Sequence, residues 1–167
     1  MKTLLATSIF LFAALLVACG TSANADDSTA VPTEIQDPNS LDDPQAALDA
    51  AQALWASQGG DDYDMTFNWQ CFCIVDYVQR VDLEGRGGAV SSGVPTDGGD
   101  ALTSEQLVEY RTVPELFDFI QDAIDRDAVE IRVSYDTSGY PAEAWIDYDA
   151  GIADEERGFF VHSLTVR

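Results

Sequence analysis

Tyr63-Asp64-Met65-Thr66-Phe67-Asn68-Trp69-Gln70-Cys71-Phe72-Cys73 decides the fold. Tyr63, Met65, Phe67, Trp69, Cys71 and Cys73 recur at every second position, with Asp64, Thr66, Asn68 and Gln70 between them. Successive side chains of a strand point to opposite faces, so this alternation predicts a strand with one buried and one polar face. A strand of that kind belongs to an antiparallel sheet covered on one side, because parallel sheets are buried on both. Amphipathic helices must then cover the apolar side.

Two helices of the right kind flank it. Upstream, Asp43 and Pro44 form an N-cap and first-turn pair, and Leu48, Ala51, Leu54 and Trp55 make one stripe before Gly59-Gly60. Downstream, Thr112 and Glu115 have capping-box spacing around Pro114. Val113, Leu116, Phe117, Ile120 and Ile124 follow as the buried stripe. Further strands are expected over 76–84, with Tyr77, Val81 and Leu83 inward, and over 129–135, with Val129, Ile131, Val133 and Tyr135 inward. Two more are expected over 142–148 and 159–166. Gly85 to Gly88 breaks or bulges the second strand before Ala89-Val90, and 91–100 reads as a surface loop. The predicted fold is α+β: a two-layer sandwich of about five antiparallel strands with two amphipathic helices on one face, spanning 42–167.

Composition narrows the function. Among 167 residues, 30 are Asp or Glu and 8 are Lys or Arg, for a formal charge of -22. Nucleic-acid phosphates need clustered basic side chains, so unaided nucleic-acid binding is excluded. Adsorption to anionic lipid head groups is disfavoured for the same reason.

The N-terminus carries an address. Met1-Lys2-Thr3 is a short basic stretch, and Leu4 to Val17 is an apolar run interrupted by Thr7 and Ser8. That run is short for a membrane span and right for a signal peptide. It ends in Leu16-Val17-Ala18-Cys19-Gly20, which resembles a bacterial lipobox: 1–18 would be a lipoprotein signal peptide and Cys19 the lipidated N-terminus, carrying palmitate or similar acyl chains. The alternative is cleavage after Ala23-Asn24-Ala25. Both export the chain. With Cys19 lipidated, the expected location is the cell envelope, in an outer membrane if the organism has one, because Gly20 rather than Asp follows the Cys. Residues 19–41, rich in Ser, Thr, Ala, Asn, Asp and Pro, read as a disordered tether.

Several stretches together resemble one family: the aromatic strand ending Cys71-Phe72-Cys73, the entry Tyr110-Arg111-Thr112-Val113-Pro114-Glu115-Leu116-Phe117, and the run Tyr135-Asp136-Thr137-Ser138-Gly139-Tyr140-Pro141. Ile146-Asp147-Tyr148-Asp149 and Ile152-Ala153-Asp154-Glu155 add to it. The family is that of bacterial exported proteins and lipoproteins catalogued as domain of unknown function 6174, and the resemblance runs from about Leu48 to Leu164. Thr137 departs from the pattern, where Pro is expected. The resemblance implies export and fold, and carries no activity.

The candidate chemistry is sparse. In a regular strand, Cys71 and Cys73 stand about two rises, roughly 6.6 Å, apart on the face shared with Phe67 and Trp69. A bridge between them requires a bulge or kink. The pair admits three readings: a local structural disulfide, a thiol-redox couple, or a soft-metal ligand pair. Asp147, Asp149, Asp154 and Glu155 crowd one strand end and loop, an oxygen-rich arrangement that could hold Ca²⁺ or serve as a solvated acidic face. The sole histidine, His162, falls in the register of Phe160, Leu164 and Val166, as a core or edge residue. No Gly-x-Ser-x-Gly, His-Glu-x-x-His or phosphate-loop motif occurs. Trp145 falls on the polar register, where an exposed Trp marks a contact surface. The expected function is therefore a non-enzymatic envelope lipoprotein without a resident cofactor. It would bind an envelope protein or peptide through a sheet face or the loops around Tyr140. The alternatives are a thiol-redox or metal-handling protein and a calcium-dependent interaction module.

Overall fold

The computed structural model describes residues 36–167. The expected signal peptide, the expected lipidation site Cys19 and most of the expected tether therefore lie outside the described residues. A 3₁₀ turn over Pro38–Ser40 leads into helix α1 (Pro44–Gln58), whose first turn is capped by the Asp43 carboxylate accepting from the Ala46 N–H at 3.2 Å. The other long helix, α4 (Val113–Asp125), begins at the expected capping box. Thr112 Oγ1 accepts from the Glu115 N–H, and Glu115 Oε2 accepts from the Thr112 N–H at 2.8 Å. Ala47, Leu48, Ala51 and Trp55 of α1 and Val113, Leu116, Phe117 and Ile120 of α4 are buried in one core.

That core lies on one face of a six-stranded sheet: β1 (Tyr63–Cys71), β2 (Val81–Arg86), β3 (Ala89–Pro95), β4 (Glu130–Tyr135), β5 (Pro141–Asp147) and β6 (Arg157–Val166). The order is β3-β2-β1-β6-β5-β4, and every neighbouring pair is antiparallel. Tyr63, Met65, Phe67 and Trp69 are buried, as their alternation predicts. Phe67 is the hub of an aromatic cluster, edge-on to Trp69 and Tyr110 and stacked on Phe159. Tyr63 ties the layers together, its hydroxyl accepting from the Val113 N–H at the start of α4 at 2.8 Å. Ile131 and Val133 point inward but are half-buried, and Val129, just outside the strand, is exposed. An edge strand has a neighbour on only one side to shield it.

The α+β class stands, with four corrections to the elements. The sheet has six strands because 89–95 is not loop: it pairs with β2 as a hairpin closed by Gly87 and Gly88, with φ of 57° and 78°. Two successive left-handed residues make the turn that matches strand twist, and glycine adopts them freely. Residues 75–78 form a helical turn, α2 (Val75–Val78), not the start of β2, because the chain must reverse between antiparallel neighbours. A further turn, α3 (Ser104–Leu107), carries its own capping box between Thr103 and Gln106. The last correction concerns β6. Thr66 pairs with Ser163 but Phe67 pairs with Val161, so His162 is an extra residue in a β-bulge. Phe159 and Val161 therefore face the core before the bulge and Leu164 after it. His162 stands exposed on the opposite face, its Nε2–H donating to Asn68 Oδ1 at 2.6 Å.

Candidate functional site

The covered face leaves three features for function: the uncovered sheet face, the acidic loop before β6, and the segment that leaves β1. The uncovered face is polar and largely self-paired. Asp64 binds Arg86 at 2.6 Å and also Arg167, and the Thr66 hydroxyl donates to Asp82 at 2.6 Å. Trp145 lies on this face as expected, half-buried, with the Arg132 guanidinium 5.9 Å from its ring. Tyr140, in the loop expected to make contacts, turns its ring inward. It is 8% exposed, with its ring edge-on to Trp55. It docks there because Gly139, at φ 93°, has no Cβ to strike the Ala51 carbonyl of α1.

The acidic loop turns its carboxylates onto its own backbone. Glu155 Oε1 accepts from the Tyr148 and Asp149 N–H groups at 2.8 and 2.7 Å. Asp147 accepts from the same Asp149 N–H, and Asp149 from Gly151. The loop is shaped by these turns, and among the described residues no three acidic, histidine or cysteine groups are gathered to hold a metal ion. Asp154 has a left-handed backbone, φ 67°, at the loop's tip. Asp147 is held above the ordinary carboxyl value, first by desolvation and then by its proximity to Glu155.

The segment leaving β1 is different in kind. Cys71 is the last residue of β1 and half-buried, while Cys73 has left the strand and is exposed. The pair is bridged, with Cα atoms 5.2 Å apart. The bend at Phe72 brings them closer than a regular strand permits. The expectation that both share the face of Phe67 and Trp69 holds for Cys71 only. The ring so closed lifts Phe72 into solvent at 84% exposure, and Ile74 and Val75 follow at 65% and 73%. Large apolar side chains exposed singly are ordinary, whereas three within four residues form a patch. The period-two pattern runs on through Phe72 to Cys73 without marking a bend, and Ile74-Val75 fall between two expected strands, so periodicity gives no sign of this projection.

Beside the projection, between the α2 and α3 turns, runs a groove of about 450 Å³. Ile74, Tyr77, Leu102 and Tyr110 supply its apolar lining, and Asp76, Glu105 and Glu109 its acidic one. Tyr110 is buried at its base, and burial, with the nearby Asp76 charge, raises its phenol above the ordinary value. Among the described residues no helix is long and apolar enough to cross a membrane.

The projection, the capped α4 entry and the 135–141 turn all fall within residues 47–166, which match the model of a family described as a family of unknown function, DUF6174. No curated protein matches the chain, and no solved structure does. The match spans most of the chain and nearly all of the described fold, and on that ground the protein belongs to the DUF6174 family.

Proposed function

We propose that the protein is an exported, lipid-anchored and non-enzymatic interaction module of the cell envelope. Its contact surface is the apolar projection of Phe72, Ile74 and Val75. The observation that carries this is the 84% exposure of Phe72 on a covalently closed tip. Exposed apolar area lowers solubility unless a partner covers it, and a cross-linked tip limits the ordering entropy lost on binding. The first described residues lie away from this projection. The 3₁₀ turn sits against Tyr135 of β4 through Asn39, whereas Cys71 lies three strands away. Register puts Cys71, Arg157, Ile146 and Ile131 in one row, with Tyr135 four residues further along β4. That is about 13 Å along the strands and 14 Å across them between the N-terminal turn and the base of the projection.

Photo-cross-linking in the native envelope tests this. A photoreactive phenylalanine analogue at position 72 is expected to give a discrete adduct, and one at Val94 on the uncovered face none. Adducts from position 94 alone would overturn the assignment. For the anchor, Cys19→Ser should release the domain to the soluble fraction or leave the precursor unprocessed. A soluble wild-type protein beginning at Asp26 would refute lipidation.

One observation favours a second reading, thiol redox. The bridge reaches solvent at Cys73, where a dithiol could reduce it to two thiols while becoming a disulfide itself. Trapping of mixed disulfides by a Cys71→Ser or Cys73→Ser variant would favour it.

A further inference from the structure

The groove beside the projection differs from the rest of the acidic surface in combining apolar lining with carboxylates that have nothing to bind. Asp76, Glu105 and Glu109 make no side-chain hydrogen bond or ion pair among the described residues, unlike Asp64, Asp82, Asp122 and Glu155. No basic side chain of the described residues lines the groove. Three carboxylates about one cleft repel each other and favour an incoming cation, while Ile74, Tyr77 and Leu102 favour an apolar side chain. We infer that the groove docks a polypeptide segment of the partner in which lysine or arginine alternates with large apolar residues. The apolar side chain seats against Ile74 and Tyr77, and the flanking cations meet Asp76 on one wall and Glu105 and Glu109 on the other. The inference rests on the reading of the projection as the contact surface and adds the partner's chemistry to it.

A chain of formal charge -22 attracts any cation at long range, so the test must separate the groove from the general field. The probe is a short fluorescent peptide alternating lysine and leucine, followed by anisotropy with the whole processed protein at about 150 mM salt, where exposed charges beyond roughly 8 Å are screened. The triple variant Asp76→Asn, Glu105→Gln, Glu109→Gln is expected to weaken binding roughly tenfold or more. The charge-matched triple Asp97→Asn, Asp100→Asn, Asp127→Asn is expected to change it less than about twofold. Ile74→Ser should weaken it too, and a peptide with serine for leucine should bind poorly. Equal losses from the two triples would overturn the inference, as would equal binding of a glutamate–leucine peptide. So would capture of the projection by zwitterionic lipid vesicles in place of the peptide. If the peptide fails while position 72 still cross-links in the envelope, the groove chemistry is wrong and the contact surface stands. If both fail, the contact surface itself is wrong.

Discussion

Asn39 pairs with Tyr135 as if it were another strand. Its side-chain amide donates to the Tyr135 carbonyl at 2.8 Å, and its Oδ1 accepts from the Tyr135 N–H at 2.8 Å. The main-chain groups of an edge strand are thereby satisfied by one side chain from the N-terminal turn, at a point where an open edge invites pairing with another chain. Asn39→Ala is expected to cost about 1–2 kcal/mol, the net worth of two hydrogen bonds near the surface. Asn39→Asp keeps the acceptor and loses the donor, so it should fall between. Urea denaturation measures the loss, and amide exchange at Tyr135 should accelerate in both variants.

Phe117 is 4% exposed on the inward stripe of α4. Phe117→Ala should destabilise the domain by about 3–5 kcal/mol, through lost transfer energy and an unfilled cavity. Thermal and urea unfolding check it. A loss under about 1 kcal/mol, as at surface positions, would contradict the packing of α4 on the sheet.

Much of this architecture was legible in the chain. The alternation from Tyr63 to Cys71, the Asp43-Pro44 start and the Thr112–Glu115 box each contain their own cause, since capping and one-sided burial are local. The hairpin at Gly87-Gly88 reads in the sequence only as a break or bulge, because the Gly- and Pro-rich run after Val90 masks the strand that pairs back onto β2. The bulge at His162 was not legible. Phe159, Phe160 and Val161 are apolar in both registers, so only pairing with β1 decides which of them face inward. Tyr140 reads as a surface turn residue, and its burial depends on Trp55, eighty-five positions away in sequence and adjacent only in the fold. The candidate site was half legible. Cys71 and Cys73 announce themselves, but the bend that joins them ends the very periodicity by which they were placed.

The bridge closes a ring of only three residues, and the chain-entropy model assigns so small a loop about 1.5 kcal/mol. Cys71→Ser with Cys73→Ser should therefore leave a folded domain with a modestly lower urea midpoint. Amides of Ile74 to Val78 should exchange faster, since the tip loses its constraint. A loss of 4 kcal/mol or more would instead make the bridge a pillar of β1.

Asp147 gives a pH dependence of unusual sign. Its carboxyl is held above its ordinary value of 3.8, so the folded chain keeps this proton longer than the unfolded chain. The group favours folding at low pH and penalises it once pH rises through the folded pKa. Asp147→Asn, which preserves an acceptor for the Asp149 N–H, should raise the melting temperature at neutral pH. The gain should vanish as pH falls below 3.8. A constant offset between the two melting curves would dismiss the titration as its cause.

The extra residue in β6 also bears on how this gene can vary. Pairing is in step on both sides of His162: Phe67 meets Val161 and Thr66 meets Ser163. Loss of that one codon would leave Phe159, Val161 and Leu164 facing inward in unbroken alternation. The same loss within β1 would transpose every following side chain between core and solvent. Within the two central strands, position 162 is thus where a reading frame can shed three nucleotides and still encode the same sheet.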